Sequence, residues 1–122
     1  MSISTAESQV MEALWRRSPL TAEEIVAEVA GPKGWSEPTV KSLINRLLTK
    51  GAIEAEKAGR RYLYRPCVDR SAYLSQESRG LLDRLFDGRI APLVSHFSRT
   101  NQLSPEDLAE LKRLIAELDD DQ

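Results

Sequence analysis

Thr39, Lys41, Ser42, Asn45, Arg46 and Thr49 recur along one face of a stretch whose other face is apolar. No carboxylate follows Glu37 on that outer face. Hydroxyl, amide, ammonium and guanidinium groups are the side chains that reach base edges and phosphate oxygens in a DNA major groove. Arg60 and Arg61 follow in the turn-forming run Lys57-Ala58-Gly59-Arg60-Arg61. Adjacent guanidiniums on a turn suit phosphate or minor-groove contact. Thr39, Lys41, Ser42 and Asn45 are the base-reading candidates; the alternative is a solvated helix face. Arg46 is open between a phosphate contact and a carboxylate on the preceding helices. Arg60 and Arg61 are the expected phosphate contacts; the alternative is a disordered turn.

Other chemistry is poorly supplied. The 122 residues include one cysteine, Cys67, and one histidine, His96. An intrachain disulfide and a single-chain Cys/His zinc site are excluded. A Cys67–His96 nucleophile pair is numerically possible but has nothing to support it. Glu23 and Glu24 stand at a helix start, where the helix dipole explains them. No enzyme and no cofactor are expected. Cys67 reads as a small apolar filler rather than a redox site. His96 has no obvious sensing or ligating role. Trp15 and Trp35 read as packing residues. At least one of Tyr62 and Tyr64 must pack, because one hairpin face needs cover. Asp119-Asp120-Asp121 reads as a solvated end.

Net charge is −2, which alone does not suggest a nucleic-acid partner. Residues 36–65, however, carry 7 Lys/Arg against 3 Asp/Glu, while residues 71–122 carry 6 against 10. A local basic patch can hold a polyanion on an acidic protein, because screening limits distant repulsion. Apolar residues are 41% and charged residues 30%, which excludes disorder and a membrane protein. No apolar run of spanning length and no signal-like start predict a cytoplasmic, reduced protein.

The elements that would position these groups follow from caps and periodicity. Ser4-Thr5-Ala6-Glu7 and Thr21-Ala22-Glu23-Glu24 both have capping-box spacing. Ala6, Val10, Ala13 and Leu14 continue the first helix, which Arg16-Arg17-Ser18-Pro19 ends. Ile25, Val26 and Val29 continue the second, and Gly31-Pro32-Lys33-Gly34 reads as its breaker. Ser36 caps a third helix, with Trp35 and Val40 spaced as a hydrophobic staple. Its buried stripe is Val40, Leu43, Ile44, Leu47 and Leu48, and Gly51 is its expected left-handed cap. Ile53 to Arg65 reads as a β-hairpin that Pro66 ends, and nowhere else reads as strand. Helices are expected over about 69–87, 89–99 and from Ser104-Pro105-Glu106-Asp107 onward.

Three helices and a basic-tipped hairpin predict a winged helix-turn-helix domain over residues 1–68. The fold class is mainly α with a small β-hairpin. Residues 69–122 predict a helical dimerisation region, because roughly 50 residues rich in Leu and Ile cannot cover their own faces. Leu81, Leu82, Leu85, Leu93, Phe97, Leu111, Leu114, Ile115 and Leu118 are its candidates. The alternative is that these helices complete a monomeric core.

The chain resembles the penicillinase repressors (BlaI/MecI type, with the related CopY repressors). The matching segments begin with Ile3-Ser4-Thr5-Ala6-Glu7, Val10-Met11 and Leu14-Trp15. Trp35-Ser36 and Thr39-Val40-Lys41-Ser42-Leu43-Ile44-Asn45-Arg46-Leu47 follow. Lys50-Gly51, Gly59-Arg60-Arg61-Tyr62-Leu63-Tyr64 and Leu103-Ser104-Pro105-Glu106-Asp107-Leu108 complete the match. The resemblance implies a homodimeric repressor on inverted-repeat, double-stranded operator DNA, controlling β-lactamase or a resistant cell-wall transpeptidase. It further implies release by a membrane sensor-protease that detects β-lactams and cuts the dimerisation region. The family's Asn–Phe cleavage site reads His96-Phe97 here. The cysteine cluster of the copper-responsive relatives has no counterpart. Glu37-Pro38 stands where some relatives have Pro and then a basic residue, which removes one phosphate contact. Two other readings compete: a regulator gated by a small molecule or by redox change at Cys67, and a winged helix that binds protein.

Overall fold

The computed structural model describes residues 2–120, so Asp121 of the acidic end lies outside the described residues. The order is α1 (Thr5–Arg16), α2 (Ala22–Lys33), α3 (Glu37–Lys50), β1 (Ile53–Ala58), β2 (Arg61–Pro66), α4 (Arg70–Leu85), α5 (Ile90–Arg99) and α6 (Pro105–Asp120). This is the expected class, helices with one two-stranded antiparallel hairpin.

Both capping boxes are complete. Ser4 Oγ accepts the Glu7 N–H at 3.1 Å, and Glu7 Oε1 accepts the Ser4 N–H at 2.7 Å. Thr21 and Glu24 repeat the exchange at 3.2 and 2.9 Å. Ser36 Oγ accepts the Thr39 N–H at the start of α3. α2 corrects the breaker reading, because it runs through Pro32 to Lys33. Proline in a last turn removes only its own donor. At the helix end the Ala30 and Gly31 carbonyls accept the Gly34 N–H, and Gly34 is left-handed at φ 68°. The Trp35 N–H reaches back to the Ala30 carbonyl at 3.0 Å, closing the helix as a Schellman motif. α3 ends the same way, with Gly51 left-handed and Ala52 N–H on the Leu47 carbonyl.

Val10, Met11 and Leu14 of α1, Ile25 and Val29 of α2, and Val40, Leu43, Ile44 and Leu47 of α3 form one buried cluster with Ala52 and Ile53, and Leu48 packs against it. Trp15, Trp35 and Tyr64 pack on its edge, as expected for packing residues. Leu20 adds a pairing that the sequence did not signal. Its N–H and C=O bond to the Tyr64 backbone at 3.0 and 2.7 Å, tying the hairpin to the α1–α2 connection.

The chain divides into two compact units between Leu74 and Ser75, inside α4. The opening of α4 belongs to the first unit. Trp15 Nε1 donates to the Val68 carbonyl at 2.8 Å, the Trp15 and Tyr73 rings lie 5.4 Å apart, and Arg70 pairs with Glu12 at 3.2 Å. In the second unit, Asp107 N–H bonds to Ser104 Oγ at 3.0 Å, capping α6. No helix among the described residues is long and apolar enough to cross a membrane.

Candidate nucleic-acid interface

α3 buries Val40, Leu43, Ile44 and Leu47, so its other face is presented by elimination. Thr39, Lys41, Ser42, Asn45, Arg46 and Thr49 are all exposed there. Ser42, Asn45 and Arg46 line a shallow groove with Thr49 and Lys50. Lys41, Ile44 and Asn45 line the next, with Ala22 and Tyr64 opposite. Ala22 and Tyr64 also border a third, with Glu23, Tyr62, Arg60 and Arg61. Shared walls join the three grooves into one strip, from the end of α3 to the hairpin tip. Six of the seven expected DNA contacts line it: Lys41, Ser42, Asn45, Arg46, Arg60 and Arg61. Thr39 does not; its hydroxyl lies 2.9 Å from Ser36 Oγ, within the helix cap.

The electrostatics differ in detail from the sequence reading. Lys41 Nζ pairs with Glu37 Oε1 at 2.9 Å, one helical turn away. That hydrogen bond, and then the Glu37 charge, raise the Lys41 pKa above its ordinary value, with burial opposing. Lys41 is therefore a firm cation, but a shared one. Among the described residues Arg46 has no carboxylate partner within ion-pair distance, so its guanidinium is available. Backbone and side-chain hydrogen bonds from Thr21 hold the Glu24 carboxyl below the usual range; burial opposes them, and Arg17 and Arg61 add attraction.

Cys67 corrects the filler reading: its residue is exposed, at the foot of the hairpin. Burial of the thiol itself, the Glu54 charge and a hydrogen bond to Glu54 raise its pKa. A thiol held protonated is a poor nucleophile, so this position does not favour redox gating.

Three residues take roles at the site that the sequence reading had not given them. Tyr64 walls the groove against α3, through a backbone pairing that has no local signal. Glu37 engages Lys41, and its i,i+4 spacing was legible. Glu7 is buried and bonds to Lys50 at the far end of α3.

The candidate dimer residues are placed less uniformly. Leu81, Leu85, Phe97, Leu114, Ile115 and Leu118 are exposed. Leu93 and Leu111 are half-buried. Leu82 is buried within its own chain, so it is not part of a face offered to a partner. His96 is exposed, and its ring meets Phe97 edge-on at 5.7 Å in the last two turns of α5.

The sequence model of the penicillinase repressor family matches residues 3–117. The chain belongs to that family. Its members are transcriptional repressors, not enzymes. The penicillinase repressor of Bacillus licheniformis is 34% identical over 115 residues, covering 94% of this chain and 90% of that protein. The methicillin resistance regulatory protein MecI of Staphylococcus aureus (strain N315) is 30% identical over 113 residues, covering 93% and 92%. A solution structure of monomeric Bacillus licheniformis BlaI with the blaP half-operator superposes with a TM-score of 0.54 at 36% identity. That match covers 60% of this chain and 89% of the BlaI chain.

Proposed function

We propose that this penicillinase-family repressor binds an inverted-repeat operator as a homodimer, in the cytoplasm, and represses by occupying the promoter. α3 enters the major groove and the hairpin reaches the flanking backbone. The observation that carries this reading is the continuous strip joining the polar face of α3 to Arg60 and Arg61. The half-operator complex of its BlaI relative supports it. Lys41, Ser42 and Asn45 read bases, while Arg46, Arg60 and Arg61 hold phosphates. Thr39 serves its helix cap first and base contact second.

Selection of bound fragments from the source genome tests this reading. An inverted repeat is expected, with half-sites about one helical turn apart or a multiple of it. Lys41→Ala is expected to weaken binding. Ser42→Ala and Asn45→Ala are expected to relax base preference, at about 1–3 kcal/mol per lost base contact. If all three variants bound the selected site as tightly as the parent, α3 would not be the reading element.

Release follows from the second unit. We propose cleavage between His96 and Phe97 by a membrane-associated sensor-protease. The cut would sever α6 and the apolar residues it presents. The bond sits close to the end of α5 at Arg99, where a helix frays into the extended form that proteases bind. Intact-mass spectrometry of the repressor from β-lactam-treated cells is expected to show the two fragments. A full-length mass throughout induction would rule this route out.

A further inference from the structure

Glu37 is an anomaly beside the strip: it lines none of the three grooves, but it pairs with Lys41, which lines one. A carboxylate that approaches DNA is repelled by phosphate. Yet Glu37 is the first residue of α3, the end from which recognition helices contact base edges. Its side chain is 56% exposed, and it holds Lys41, 48% exposed, one helical turn further on.

We infer that Glu37 and Lys41 act as one unit that reads a single G·C pair in the major groove, Lys41 donating to guanine and Glu37 accepting from cytosine. The inference rests on α3 being the reading helix. A carboxylate finds a partner on DNA only where a base offers a donor. In the major groove those donors are cytosine N4 and adenine N6. Lys41 chooses between them. Guanine shows two adjacent acceptors, N7 and O6, with cytosine N4 next in line. An acceptor run followed by a donor is the complement of an ammonium beside a carboxylate. In an A·T pair the donor lies between two acceptors, and the thymine methyl follows. There, with Glu37 on adenine N6, Lys41 meets a single acceptor, adenine N7 or thymine O4, where guanine offers it two. The Glu37–Lys41 contact at 2.9 Å thus preorganises both groups before DNA arrives. Pairing also lowers the phosphate affinity of Lys41, so the unit exchanges general affinity for discrimination.

The test is selection from random duplexes with the full-length protein and its Glu37→Gln and Glu37→Ala variants, followed by affinity measurements over a salt series. The parent is expected to require G·C at one position of each half-site. An A·T substitution there should weaken binding about tenfold. Glu37→Gln is expected to shift that position toward A·T, because a glutamine amide pairs with adenine N6 and N7. Glu37→Ala should weaken the preference to what Lys41 alone draws from guanine, while leaving the rest of the selected site unchanged. If both variants instead bind all sequences more tightly, with an unchanged selected site and a salt slope steeper by about one, Glu37 only quenches a phosphate contact and the inference fails. A folded parent that selects no sequence at all would overturn the assignment of α3 itself, and this inference with it.

Discussion

Replacing Ile115 and Leu118 with glutamate is expected to yield a folded monomer that binds the operator at least about a hundredfold more weakly. The side chains of α6 make the case. Leu108, Leu114, Ile115 and Leu118 are all among its exposed large apolar residues, at 44–64% relative exposure. Such a face costs free energy in water unless something covers it. In the proposed homodimer a second copy of the same helices would cover it symmetrically. Glutamates there would have to be buried unpaired in the dimer but are harmless in the monomer. The core of the first unit draws on α1, α2, α3 and the hairpin, so it should survive. The loss in binding follows from the linkage of two half-sites. Dimerisation makes the second contact intramolecular and commonly adds about 10²–10⁴ in affinity. Light scattering gives the mass and operator titration the affinity. A variant that stays dimeric would place the interface on other residues.

Lys50→Met is expected to destabilise the first unit by about 3 kcal/mol, among the largest effects of any single exposed side chain here. Glu7 is only 1% exposed, whereas the Lys50 side chain is 36% exposed. Lys50 Nζ donates to Glu7 Oε1 and also to the Ser2 carbonyl at 2.8 Å, pinning the chain start to the end of α3. Removing one partner of a buried pair leaves an uncompensated charge, which costs about 3–5 kcal/mol. Water can reach the Lys50 side, so the lower end applies. Adding Glu7→Gln should recover part of the loss, because it removes the stranded charge. Urea titration of the parent and both variants measures this. Equal stability of parent and Lys50→Met would show that the pair contributes nothing.

The same group sets a pH dependence. Burial pushes the Glu7 carboxyl pKa up, but the Lys50 hydrogen bond, the Ser4 hydrogen bonds and the Lys50 charge outweigh it. The folded pKa therefore lies below the ordinary value of 4.5. The stabilisation is fully present above 4.5 and is lost as pH falls through the folded value. Glu7→Gln should flatten that acid limb of the stability profile.

Much of the fold was legible because its signals are local. Ser4, Thr21 and Ser36 announce helix starts through contacts to the third residue after each. The α3 stripe repeats at helical spacing; Val40, Leu43, Ile44 and Leu47 are buried as expected, and Leu48 is half-buried at the edge. Gly31-Pro32 misled because a proline-bearing last turn can still close through Gly34 and Trp35. Cys67 misled because residue type predicts average burial, not the burial of one position.

The sequence by itself determined the helices, the hairpin, the apolar stripes and the polar, acid-poor face of α3. These depend on periodicity and on caps that act within one turn of the chain. Only the tertiary structure decided that Leu20 pairs with Tyr64, that Trp15 bonds to Val68, and that Lys50 reaches Glu7. Those partners are 43 or more residues apart. Nothing local encodes them; they arise when the buried faces of three helices close on one another. That closure sets the hairpin beside α3 and turns separate polar residues into one surface.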